Sequence, residues 1–124
     1  MTTIENKLQQ IHERIASACA QAGRTAGSVQ LLSVSKTFGA DAVREAVLAG
    51  ERSFGENYIQ EGVDKIAAVR AMALPGGEAL QWHCIGPIQS NKTRLVAEHF
   101  DWAQTVDRLK IAERLSAQRP DSLP

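Results

Sequence analysis

The chain has 124 residues, 44% of them hydrophobic, enough length and apolar content to bury one core. Its 14 Lys and Arg are matched by 14 Asp and Glu, so it lacks the basic excess with which a nucleic-acid binder neutralises phosphates. No apolar run approaches the ~20 residues of a membrane-spanning helix, and Met1-Thr-Thr-Ile-Glu opens as an amphipathic helix rather than a signal peptide.

Thr2 followed by Glu5 is a capping-box pattern. Ile4, Leu8, Ile11, Ile15, Ala18 and Ala22 then recur at helical spacing up to Gly23, predicting a first helix over about 3–22. The stretch 29–35 is rich in β-branched and aliphatic residues and reads as a buried strand. Asp41 is placed to cap a short helix through Ala49, striped by Ala42, Val43, Ala46 and Val47 and ended by Gly50. A brief second strand over 52–54 leads into Gly55-Glu-Asn57, which reads as a turn with acidic capping at a helix start. Ile59, Val63, Ile66 and Val69 mark that helix, to about Ala73, before the break at Pro75-Gly-Gly77.

A third strand over 80–85 closes at Gly86-Pro87, and Ser90 or Asn91 caps a helix carrying Leu95, Val96 and His99. A fourth strand follows over 102–106. Asp107 then caps a last helix to about Gln118, with Leu109, Ala112 and Leu115 inward, and Pro120 and Pro124 forbid its continuation.

Four strand–helix units after an initial helix predict an α/β fold with a parallel sheet. Two closures are open: a small doubly wound sheet, or the first half of a TIM-barrel-like (β/α)₈ fold, whose full size is about 250 residues. The end at Arg119-Pro-Asp-Ser-Leu-Pro124 reads as a loop cut before a next strand, which makes residues 1–124 a single partial domain. The first and fourth strands would then expose unpaired edges, favouring self-association.

Lys36 is the candidate for chemistry. It continues the apolar side of the first strand (Leu32, Val34), and so sits at a strand's carboxyl end, where α/β folds keep ligands. Burial there would favour the neutral amine that attacks a carbonyl, making Lys36 a candidate Schiff-base lysine; a lysine after a strand is more commonly a solvated loop residue. The Asn57 amide is a candidate partner for a ligand's polar edge, and Lys92 beside free backbone N–H groups suits an anion. His83 is more often a satisfied core histidine than a catalyst. His12, His83 and His99 show no metal-ligand spacing with one another or with Cys19 and Cys84. The two cysteines read as buried free thiols, which fits a reducing cytoplasm.

Three segments, Leu32-Ser-Val-Ser-Lys-Thr37, Phe54-Gly-Glu-Asn-Tyr-Ile-Gln-Glu61 and His83-Cys-Ile-Gly-Pro-Ile-Gln-Ser-Asn-Lys92, together closely resemble the pyridoxal phosphate homeostasis (YggS-like) family, in its order and spacing. The resemblance implies an alanine-racemase-like barrel without that family's second domain, of which this chain is the N-terminal half. It also implies a lysine-bound pyridoxal 5'-phosphate and a role in vitamin B6 and amino-acid homeostasis without known turnover. Lys36 then looks like the lysine that binds the cofactor and Asn57 like the side chain that approaches its ring. The loop from His83 to Lys92 is similar to the family's signature near the pocket, adding His83 and Asn91 to the cofactor-binding set.

Two features depart from the family pattern. Phe38-Gly39 stands where many members have a basic residue and proline. The family's phosphate-binding Ser/Gly-rich segment and the arginine facing the pyridine nitrogen belong to later strands. A full-length parent is expected to be a monomer or weak dimer, and this shorter chain to bind the cofactor weakly. The competing functions are an amino-acid racemase, for which Tyr58 is the only tyrosine available as second base, and a half-barrel that merely self-associates.

Overall fold

The structure, a computed structural model, describes residues 2–124. Its elements run α1 (Thr3–Gln21), β1 (Ser33–Val34), α2 (Ala40–Leu48), β2 (Ser53–Glu56), α3 (Ile59–Ala71), β3 (Gln81–Cys84), α4 (Thr93–His99), β4 (Trp102–Ala103) and α5 (Leu109–Gln118), with 3₁₀ turns at Gly77–Ala79 and Ser90–Lys92. The four strands form one parallel sheet in the order β1-β2-β3-β4. Because that order never reverses, crossovers of one hand put every helix on the same side. Each helix packs on the next, from α1 to α5, as a single layer. A doubly wound sheet, with helices on both faces, is therefore not what forms.

The core lies between that helix layer and the sheet. Phe54 of β2 meets Trp82 of β3 at 5.3 Å between ring centroids, with Val43, Val47, Ile66, Val69, Val96 and Ile111 closing over them from the helices. Thr2 caps α1 by accepting the Glu5 N–H at 3.0 Å, and Gly23, at φ +68°, turns the chain out of the helix, both as the spacing predicts.

The ladder is shorter than expected at both edges. The first strand pairs only at Ser33 and Val34, because β2 begins at Ser53 and an edge strand has one neighbour to bond. Residues 29–32 run beside the sheet without joining it, held in part by the Gln30 amide donating to Ser53 Oγ at 2.6 Å. The fourth strand likewise stops at Ala103.

Several expected caps also move. The second helix begins at Ala40 after Gly39, with Asp41 inside its first turn, and the last begins at Leu109 after Arg108 rather than Asp107. Neither Ser90 nor Asn91 caps α4; both belong to the 3₁₀ turn that precedes it, where Thr93 Oγ1 donates back to the Ser90 carbonyl at 3.1 Å. Leu109 is 74% exposed, since helical spacing puts Ile111 and Leu115 on the inward face and leaves Leu109 and Ala112 off it.

Candidate functional site

Alternation along parallel strands divides the sheet's side chains between two sides. Ser33, Phe54 and Trp82 lie abreast toward the helices, and Glu56, Cys84 and Ala103 form the next row on that side. Val34, Gly55, His83 and Trp102 lie abreast on the other side, which no helix covers. Continuing that register one residue past the ladder sets Lys36, Asn57, Ile85 and Gln104 side by side at the strands' carboxyl ends. Three backbone bonds carry it there: Ser35 N–H to Gly55 O at 2.9 Å, Ile85 N–H to Glu56 O at 3.0 Å, and Gln104 N–H to Cys84 O at 3.0 Å.

Lys36 and Asn57 are thus brought together on neighbouring strands. Lys36 is exposed rather than buried, because the open side of the sheet has nothing packed over it. Asn57 Oδ1 is buried and has no hydrogen-bond partner. The backbone of the rim loop presses against this residue: a side chain at Gly86 would place its Cβ 2.7 Å from the Asn57 carbonyl oxygen.

His83, in the row below, is not the satisfied core histidine expected. Both ring nitrogens are buried without a hydrogen-bond partner, and the ring stacks on Trp102 at 5.8 Å and 7°. Burial lowers its pKa from the ordinary histidine value, against the Gln104 side chain and the Asp101 charge, which act the other way. An unmet buried polar group costs about 1–3 kcal/mol. Asn57 and His83 both lie on the uncovered side of the sheet, His83 one row below Asn57. Asn91 stands apart from them, exposed on the 3₁₀ turn of the rim loop. Tyr58 is exposed at the start of α3.

Gly55 and Glu56 are strand residues, not a turn, and Glu56 caps nothing. It is fully buried on the helix side, where its carboxylate accepts from Lys65 Nζ at 2.9 and 3.0 Å and from the Ser35 hydroxyl. This pair was not anticipated, although a sign of it was present: Lys65 falls within the arc of Ile59, Gly62, Ile66 and Val69, where a lysine needs a buried partner.

Phe38 lines an apolar cleft of about 200 Å³ between α1 and β1, with Ile4, Leu8, Ile11 and Val34. Both cysteines are buried and free, as read, and burial pushes the Cys84 thiol up against an opposing hydrogen bond from the Gly86 backbone.

These features define an α/β chain of four parallel βα units after a helix, TIM-barrel-like, with a lysine and unpartnered polar groups toward the carboxyl ends of its strands. No protein-family model matches the chain. Over its whole length it is 53% identical to the pyridoxal phosphate homeostasis protein of Escherichia coli (strain K12), covering 52% of it. It is 57% identical over 125 residues to that of Vibrio cholerae, again covering 52%. PipY of Synechococcus elongatus, solved with PLP bound, superposes with a TM-score of 0.69 at 47% identity, over 87% of this chain and 47% of PipY. The chain spans about half the length of the curated relatives it matches. Over its whole length the chain is thus similar to about half of each of these pyridoxal phosphate homeostasis proteins, and its four βα units match the first half of the TIM-barrel-like fold of PipY.

Among the described residues, no helix is long and apolar enough to cross a membrane.

Proposed function

We propose that the chain carries the lysine-bearing part of a pyridoxal 5'-phosphate site and serves vitamin B6 and amino-acid homeostasis by holding the cofactor, without turnover. The observation that carries this is the row Lys36–Asn57 standing above His83 on the uncovered side of the sheet, with Asn57 Oδ1 and the His83 ring nitrogens unmet. The residues fit the group. When bound, pyridoxal 5'-phosphate supplies an aldehyde that one primary amine captures covalently and another can displace. Lys36 is the amine on this rim. Asn57 Oδ1, an acceptor without a donor, suits a ligand hydroxyl, and the stacked His83–Trp102 pair gives a flat surface beneath. Asn91, exposed on the 3₁₀ turn of the rim loop, stands outside this row. PipY, similar over most of this chain, was solved with PLP bound, which supports the same cofactor here. A cytoplasmic setting fits the two buried free thiols.

A binding role is favoured over racemisation because a second acid or base would have to face Lys36 across the cofactor, and exposed Tyr58 has no contact that directs it there. Incubation with pyridoxal 5'-phosphate, borohydride reduction and peptide mass spectrometry tests the reading. A pyridoxyl mass on Lys36, absent from Lys36→Ala, is expected. Label confined to other lysines would relocate the site, and sustained alanine enantiomer exchange would make the chain an enzyme.

The open edges of β1 and β4 are further proposed to let this chain associate with itself.

A further inference from the structure

Lys65 has no place on the rim, yet its contacts converge on the backbone of Lys36. Its side chain is 4% exposed and its ammonium donates to the Ser35 carbonyl at 2.7 Å, to both Glu56 oxygens, and to Glu61 Oε1 at 3.4 Å. That same Glu61 oxygen accepts the Thr37 N–H at 2.9 Å. The two residues flanking Lys36 are therefore tied to one buried cation, directly at Ser35 and through a carboxylate at Thr37. Thr37 has φ +66°, a left-handed conformation that a non-glycine residue adopts only where its surroundings enforce it.

A buried ion pair is weak evidence of stabilisation, since packed apolar residues of the same volume often do as well. What an apolar pair could not do is hold a carbonyl and, through Glu61, an N–H on either side of one residue. We propose that Lys65, with Glu61 as its relay, is a positioning residue for Lys36: it fixes the lysine's backbone from the helix side so that the amine is presented on the open side. This rests on the proposed capture of pyridoxal 5'-phosphate by Lys36.

Three variants test it. Glu61→Ala cuts the Thr37 tie while leaving the Glu56–Lys65 pair intact. Glu61→Gln restores an acceptor for Thr37. Lys65→Met combined with Glu56→Gln removes the Ser35 tie and the cation that anchors Glu61, without stranding the Glu56 charge. Each is treated with subsaturating pyridoxal 5'-phosphate and borohydride, and label on Lys36 is compared with label on exposed Lys7 and Lys110 of the same molecule. Amide hydrogen exchange at Thr37 is measured without cofactor.

Glu61→Ala and the double variant are expected to lose about tenfold in Lys36 label (a change of about 1.4 kcal/mol) and to exchange Thr37 faster, with Lys7 and Lys110 labelled as in the parent. Glu61→Gln should recover most of the Lys36 label. If the parent labels Lys36 and the folded Glu61→Ala chain does so within about twofold, the positioning role is wrong while the site stands. Thr37 exchange unchanged in the variants would equally overturn it. A parent with no Lys36 label removes the proposed site and this role with it.

Discussion

His83 and Trp102 lie nearly parallel, 5.8 Å apart at the ring centroids, on adjacent strands of the uncovered side. With burial lowering the His83 pKa in the folded chain, protonation costs the native state more than the unfolded one. Stability from this residue is complete above the ordinary histidine value of ~6.5 and declines as the pH falls below it. Urea midpoints at about pH 7.5 and about pH 5.5 should show a drop in the parent that His83→Gln reduces. Emission from half-exposed Trp102 should change with a midpoint below ~6.5, and an equal response in His83→Gln would contradict the assignment.

Gly86→Ala should destabilise by about 1–3 kcal/mol. Its Cβ would meet backbone, not a flexible side-chain end, at the Asn57 carbonyl, so relief requires moving the rim loop. Urea denaturation gives the magnitude. Reduced Lys36 labelling in the still-folded fraction would show that Asn57 moved with it.

Lys65→Met alone leaves the fully buried Glu56 carboxylate without its ammonium and should cost about 3–5 kcal/mol. Adding Glu56→Gln should recover much of that loss. A double-mutant cycle by chemical denaturation measures the coupling, and additive losses would count against a tight pair.

Cys84 and Cys19 should resist a disulfide-exchange reagent in the native chain and react once urea unfolds it. Both are buried, and burial also keeps the Cys84 thiol protonated. Thiol counts against denaturant should therefore follow the unfolding curve.

Light scattering over a range of concentrations should show mass above that of one 13.5 kDa chain, carried by the β1 and β4 edges. A strictly monomeric chain at every concentration would remove the edge-pairing proposal.

The five α-helices were legible from periodicity, because each packs an apolar stripe against the core, and the four strands from their place between them. Their ends were less so. Val29 is β-branched and begins the apolar run, but strand pairing depends on the neighbour, and β2 offers partners only from Ser53 onward. Leu109 looked inward because leucine usually is, yet at ~100° per residue it lies ~200° around the helix from buried Ile111. Lys36 at a strand's carboxyl end followed from strand alternation, whereas Asn57 beside it followed only from the family motif, since 55–57 read as a turn. The Glu56–Lys65 pair did not, since a contact between a strand and the next helix leaves no short-range pattern, only an out-of-place lysine. The unmet His83 nitrogens depend on what packs around the ring, which one sequence does not specify.

The two residues that follow β1 serve opposite layers: Ser35 feeds the carboxylate network and Lys36 the rim. Sliding this strand by a single position would exchange those roles, driving an ammonium toward Lys65 and leaving a hydroxyl in the lysine's stead. The hydrogen bonds of Ser35 therefore act as a detent. They hold the alignment that keeps two like charges on opposite sides of the sheet, in a strand too short for its own ladder to do so.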